Sequence, residues 1–226
     1  MTRRQKLTTA FVVVVAVGAV MYFVAWPAYI QARSQTLIRE ATQVLRKAHQ
    51  RAEKHQLNRL TVADIGSVAV SAETLYLFTV MHQSSYRQAQ QMTEHPTVSG
   101  LQAALPALTR PWVVSQYLVR HHRLPASVPS SVLQTYRHLL LTEMAAPSVR
   151  SWTAAMQVAQ LQHPVWLPSW YWQGSYQMNA GLSHTLAHDT PAQIRRFTHW
   201  MSHVAAPQAQ RSVSVHGVRP VIRRLS

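Results

Sequence analysis

Between Lys6 and Arg33 the chain runs for 26 residues without a formal charge, and within that run Ala10 to Ala25 (AFVVVVAVGAVMYFVA) is apolar throughout. At 1.5 Å of rise per residue, about 20 such residues carry a helix across the hydrocarbon core of a bilayer. Tyr22, Trp26 and Tyr29 gather at the C-terminal end of the run, where amphipathic rings settle at the water interface. The segment therefore reads as a membrane span or a signal peptide. Cleavage needs small residues in an A-x-A-like pattern, and a cut after Ala28 puts the bulky Trp26 at one of those positions. Residues 7–30 are accordingly predicted to be an uncleaved transmembrane signal anchor. Arg3, Arg4 and Lys6 precede it, whereas Arg33 and Arg39 beyond it are offset by Glu40. The positive-inside rule then places residues 1–6 in the cytoplasm and everything after the span outside it. The next most apolar window, Val62 to Met81, contains Asp64 and Glu73 and does not span.

Charge limits the partners. Across 226 residues, 22 Lys and Arg face 7 Asp and Glu, a formal charge of +15 that draws the chain toward polyanions such as DNA, anionic lipid or wall polymer. An apolar content of 47% excludes disorder along the whole length. The absence of Cys excludes a disulfide scaffold, a thiolate metal site and cysteine-based catalysis. The 6 glycines form no G-x-G-x-x-G or G-x-x-x-x-G-K-[ST] phosphate cradle, and G-x-S-x-G is missing as well.

After the span, Ile38, Ala41, Leu45, Ala48 and Ala52 recur at helical spacing, with Arg39, Arg46, Lys47, Arg51 and Lys54 on other faces. Residues 31–60 are read as an amphipathic helical stalk. Its near-heptad seam over residues 37–52 is either the buried face of a core helix or a self-association surface. Residues 61–206 are predicted to be a multi-helix domain, so that the fold class is all-α. Helices are expected over 61–92, 99–109, 111–123, 130–145, 149–163, 169–188 and 191–205. Capping-box patterns at Thr61–Asp64, Ser99–Gln102, Ser131–Gln134 and Thr190–Gln193 mark their starts, and prolines punctuate the gaps. Strands flanked by Asn-Gly or Asp-Gly turns are absent. Residues 207–226 form a basic tail without an acid, read as a loosely docked terminus or as a polyanion contact through Arg211, Arg219, Arg223 and Arg224.

Chemistry-bearing patterns are weaker. His184 with His188 and His199 with His203 have the i, i+4 spacing that puts two imidazoles on one helix face. The intervening residues lack the glutamate of H-E-x-x-H, however, and 13 histidines produce such pairs by chance, so neither a metal nor another cofactor is expected. Paired carboxylates for hydrolysis would have to come from seven acids, of which Glu73 and Glu143 are the candidates for a general acid. The segment Trp166 to Tyr176 holds five aromatics, and Trp166, Trp170 and Trp172 read either as a core wedge or as a partner or ligand surface. Together these features predict a membrane-anchored, non-enzymatic interaction or scaffold component of an envelope assembly for secretion, conjugation, DNA uptake or wall assembly. Its partners would be the membrane and other envelope proteins. A binding module for anionic envelope polymer or DNA is the alternative, and a metal- or carboxylate-dependent envelope hydrolase is the second.

Overall fold

The structure, a computed structural model, describes residues 26–120, 124–145, 149–188, 190–200 and 213–225. Most of the expected membrane anchor therefore lies outside the described residues. No described helix is long and apolar enough to cross a membrane.

The described residues are mainly helical, as expected, with one small sheet. Helix α1 (Trp26–Lys54) turns Ala41, Val44, Leu45, Ala48 and Ala52 into the core. That is the seam over residues 37–52 described above, and here it packs on the chain's own helices. The separate stalk is thereby corrected to a core helix: its apolar stripe is buried within the chain's own domain, while Arg39, Arg46, Lys47 and Lys54 on other faces stay exposed. Val44 and Leu45 are 4% and 0% exposed, and burial of such side chains contributes on the order of 1.5–3 kcal/mol each.

A hairpin replaces the first part of the helix expected over 61–92. Strands β1 (Thr61–Ile65) and β2 (Val68–Ser71) pair antiparallel with Ile65 opposite Val68, leaving a two-residue loop at Gly66-Ser67. Gly66 has φ +60°, which the first central position of the hairpin-compatible turns requires. β-branched Thr61, Val62, Ile65, Val68 and Val70 suit the pleated surface. Thr61 thus begins a strand rather than capping a helix.

Helix α2 (Ala72–Met81) is capped by Ser71, whose hydroxyl accepts from Thr74 N at 3.1 Å. It is buried on nearly every face, among α1, α3 (Tyr86–Glu94), α4 (Val98–Arg120) and α6 (Trp152–Gln162). Helix α4 runs straight through Pro106 and Pro111, where the prolines predict two separate helices. Each proline leaves the carbonyl four residues earlier without its helical donor. Those carbonyls belong to Gln102 and Ala107, both exposed residues, where solvent can supply the missing donor. The cap of α4 is Thr97, whose Oγ1 accepts from Gly100 N, rather than Ser99.

Helix α5 (Ser130–Ala145) leads through Val149 to α6. Ser34 of α1 shares its hydroxyl proton between Ile30 O at 2.9 Å and Val149 O at 3.0 Å, while His49 lies beside Trp166, so residues 149–166 climb alongside α1 in the same direction. Helix α7 (Ser169–His188) packs along α4, with Gly174 against the backbone of Pro111 and Trp112 and Gly181 against Leu118. Helix α8 (Pro191–Trp200) begins with the reciprocal capping box read from sequence: Thr190 N donates to Gln193 Oε1 at 2.9 Å and Gln193 N to Thr190 Oγ1 at 3.4 Å.

The basic tail is also corrected. Strand β3 (Val213–Val215) pairs antiparallel with β1, giving the order β2-β1-β3. Helix α9 (Arg219–Leu225) then buries Val221 and Leu225, with Val218 just ahead of it. These apolar side chains among the arginines give the segment a reason to dock that net charge alone conceals.

Candidate functional site

The start of α1 is open to solvent. Trp26 and Tyr29 are 57% and 55% exposed, and their rings pair at 5.9 Å between centroids. Every residue from Trp26 to Arg33 is exposed or half-buried. The uncharged part of this helix start, from Trp26 to Ala32, carries exposed aromatic rings and is apolar surface that the described part of the domain leaves uncovered.

The residues expected to contact a polyanion are placed differently where they are described. Arg224 donates from Nη1 to Gln56 O at 3.0 Å and so helps fasten α9 to the end of α1. Arg219 and Arg223 are exposed on α9. Arg211 lies outside the described residues.

The aromatic segment is mainly a wedge in the core. Trp166 and Trp172 are 7% and 5% exposed, and Trp172 Nε1 donates to Pro164 O at 3.0 Å. Trp170 is half-buried and meets Trp112 edge-on. Tyr171 meets Phe78 in the same way, and burial raises its phenol above the ordinary range. Arg137 reaches from α5 to lie 5.6 Å over the Trp172 ring, a cation–π contact that no residue inside the segment announces. Little ring surface of Trp166 and Trp172 remains for a ligand.

The two histidine pairs are not assembled by what is described. His184 and His188 end α7, but their side chains lie outside the described residues, as does the whole of His203. His199 is exposed on α8. Among the described residues no group of three or more His, Asp or Glu is placed to hold a metal. Of the carboxylates, Glu143 is exposed on α5, while Glu73 in the first turn of α2 accepts from His49 Nδ1 at 3.0 Å. Glu53 lies 3.5 Å from the other ring nitrogen of His49. This is a link between α1 and α2 at the edge of the core.

Sequence reasoning missed the best-organised polar site. Arg51, assigned to the solvated face of a stalk, directs Nη1 at the carbonyls of Thr93 and Glu94, at 2.8 and 2.7 Å, and Nη2 at that of Leu225, at 2.5 Å. One guanidinium therefore caps the C-termini of α3 and α9, where carbonyls lack helical donors and carry the negative end of the helix dipole. Tyr76 OH adds a bond to Thr93 O at 2.8 Å, and burial pushes its phenol up to about 12. On either side of Arg51 are cavities of about 200 Å³, with Lys47, Tyr86 and Gln90 in the wall, and about 350 Å³, with His95, Pro96 and Ile222. Three carbonyls already occupy the guanidinium, so its geometry is that of a clamp. The signal that could have found it is an arginine one turn before a helix end, together with a helix, α3, whose own last turn lacks a basic residue.

No protein-family model, curated protein or solved structure matches the chain.

Proposed function

We propose that the chain is a single-pass membrane protein whose helical domain, held outside the cytoplasm, is a non-enzymatic interaction component of an envelope assembly serving secretion, conjugation, DNA uptake or wall assembly. The observation that carries this reading is the start of α1, where the exposed pair Trp26 and Tyr29 directly continues the uncharged run that follows Lys6. A lipid interface gives these rings what water does not. Helix α1 runs from Trp26, within the expected anchor, to a face buried between Ala41 and Ala52, so an anchor continuing it would be joined to the core through the same helix. In cells making the full chain, the protein should remain in the membrane fraction after alkaline extraction, and protease added to spheroplasts should digest the domain. Release by alkali, or a fully protected domain, would overturn the proposal.

A second reading, a module for anionic polymer or DNA, draws support from the exposed Arg219 and Arg223 and from the charge of +15. It requires affinity that falls steeply with salt, because each neutralised phosphate releases counterions. Flat salt dependence would contradict it.

A further inference from the structure

The lower edge of the domain has a fixed height on α1. Ser34 bonds to Val149 O at 3.0 Å, which ties the segment between α5 and α6 to the helix one turn above Ile30. Ile30 ends the predicted span. Four residues of helix raise the chain by about 6 Å, and each headgroup layer of a bilayer is about 5–7 Å thick. Two exposed arginines occupy this level: Arg33 on α1, next to Ser34, and Arg150, next to Val149. Neither has an ion-pair partner among the described residues. Glu40 lies ten residues beyond Ile30, about 15 Å further up the helix, and Glu143 is exposed in the last turn of α5. Arg33 and Arg150 thus put positive charge at the level of the headgroups; Glu40 stands on a higher turn of α1, and Glu143, in the last turn of α5, is the acid on these two helices that precedes Arg150 most closely in the chain.

We infer that this edge of the domain, carrying Arg33 and Arg150, docks on the headgroups of anionic phospholipids. The proposal rests on the membrane-anchor reading above and adds a lipid class and an orientation to it. Guanidinium groups suit the task, since their planar fork bonds phosphate oxygens in pairs. The anchor holds them against the surface, so their attraction acts on tilt rather than on recruitment. Docking would stand the domain on residues 149–151 and lift the other end of α1, with the Arg51 clamp, away from the bilayer.

The chain has no cysteine of its own, so single cysteines report position cleanly. Thr153→Cys puts a fluorescent label on an exposed site near the edge, and Val165→Cys puts one at a site that is 82% exposed and level with His49. The full chain would be reconstituted in vesicles of phosphatidylcholine alone, or with one-third phosphatidylglycerol, each carrying a headgroup nitroxide. Quenching at 153 should exceed that at 165, and should do so more strongly with phosphatidylglycerol. Arg33→Gln and Arg150→Gln should each lower the docked-to-undocked ratio about fivefold, while the matching Lys variants should retain most of it. If the chain floats with the vesicles but both labels quench equally, or the Gln variants match the parent, docking is overturned and the anchor stands. If the chain does not float with either vesicle, the anchor reading itself fails and takes the docking with it.

Discussion

Arg51 binds the last carbonyls of two helices that are far apart in sequence, Leu225 being 174 residues away. Hydrogen bonds to a charged donor contribute about 1.5–3 kcal/mol each, and buried acceptors left unpaired cost about as much. Arg51→Met, which keeps the stem, should therefore destabilise the domain by about 2–3 kcal/mol in urea titration and speed amide exchange over 219–225. An unchanged midpoint would mean that water replaces the clamp. Titration gives a second test. The Tyr76 phenol ionises near 10 when unfolded but only at about 12 when folded. Between those values the unfolded state loses a proton that the folded state keeps, so stability is intact below pH 10 and declines as pH rises toward 12. Burial acts in the same direction on Tyr136 and Tyr171. It holds the His82 imidazole below 6.5, so the unfolded chain takes up a proton that the folded one refuses, and stability also declines as pH falls below 6.5. Tyr76→Phe should weaken the alkaline decline of the urea midpoint and leave the acid decline alone. Neither Arg51 nor Tyr76 was legible as a partner of Thr93. Periodicity assigns a residue to a face, but the acceptor arrives only when distant helix ends meet there.

At the scale of elements, α4 and α7 approach closely because of Gly174. A Cβ there would lie 2.9 Å from Trp112 N and 3.0 Å from Pro111 C, backbone atoms that cannot turn aside. Gly174→Ala should cost about 1–3 kcal/mol by overpacking. Gly100→Ala meets mainly the flexible end of Met92 and should cost less, offset by about 1 kcal/mol of helix propensity. Equal effects in thermal melts would show that the contact is not tight. Deleting 213–226 removes β3 and the buried Val218, Val221 and Leu225, so the truncated chain should melt cooperatively at a much lower temperature or fail to fold. Full retention of stability would return this segment to the solvent. The helices were legible where apolar period and caps agree, as at α1 and at Thr190 with Gln193. The hairpin was not, since Gly66-Ser67 lacks the Asn or Asp of the commonest turn signals and Val62 to Met81 is apolar enough to pass for one long helix. Nor was the continuity of α4, because a proline does not end a helix when its orphaned carbonyl can reach water.

At the scale of the molecule, the first turns of α1 leave the domain as a rod with the rings of Trp26 and Tyr29 exposed, and the proposed membrane anchor would continue that rod. Sequence made the apolar run and the sign of the charge legible, because both are additive properties of the residues. It did not reveal that the same helix supplies both the rod and a wall of the core, since that depends on which neighbours arrive at Ala41, Leu45 and Ala48. The most direct test of the central claim is one cysteine at a time in the otherwise cysteine-free chain, treated in intact spheroplasts with a maleimide that cannot cross membranes. The account predicts that Val165→Cys labels fully without detergent, whereas Thr2→Cys labels only after detergent opens the membrane. Labelling at both sites in intact spheroplasts, or protection of position 165, would contradict it.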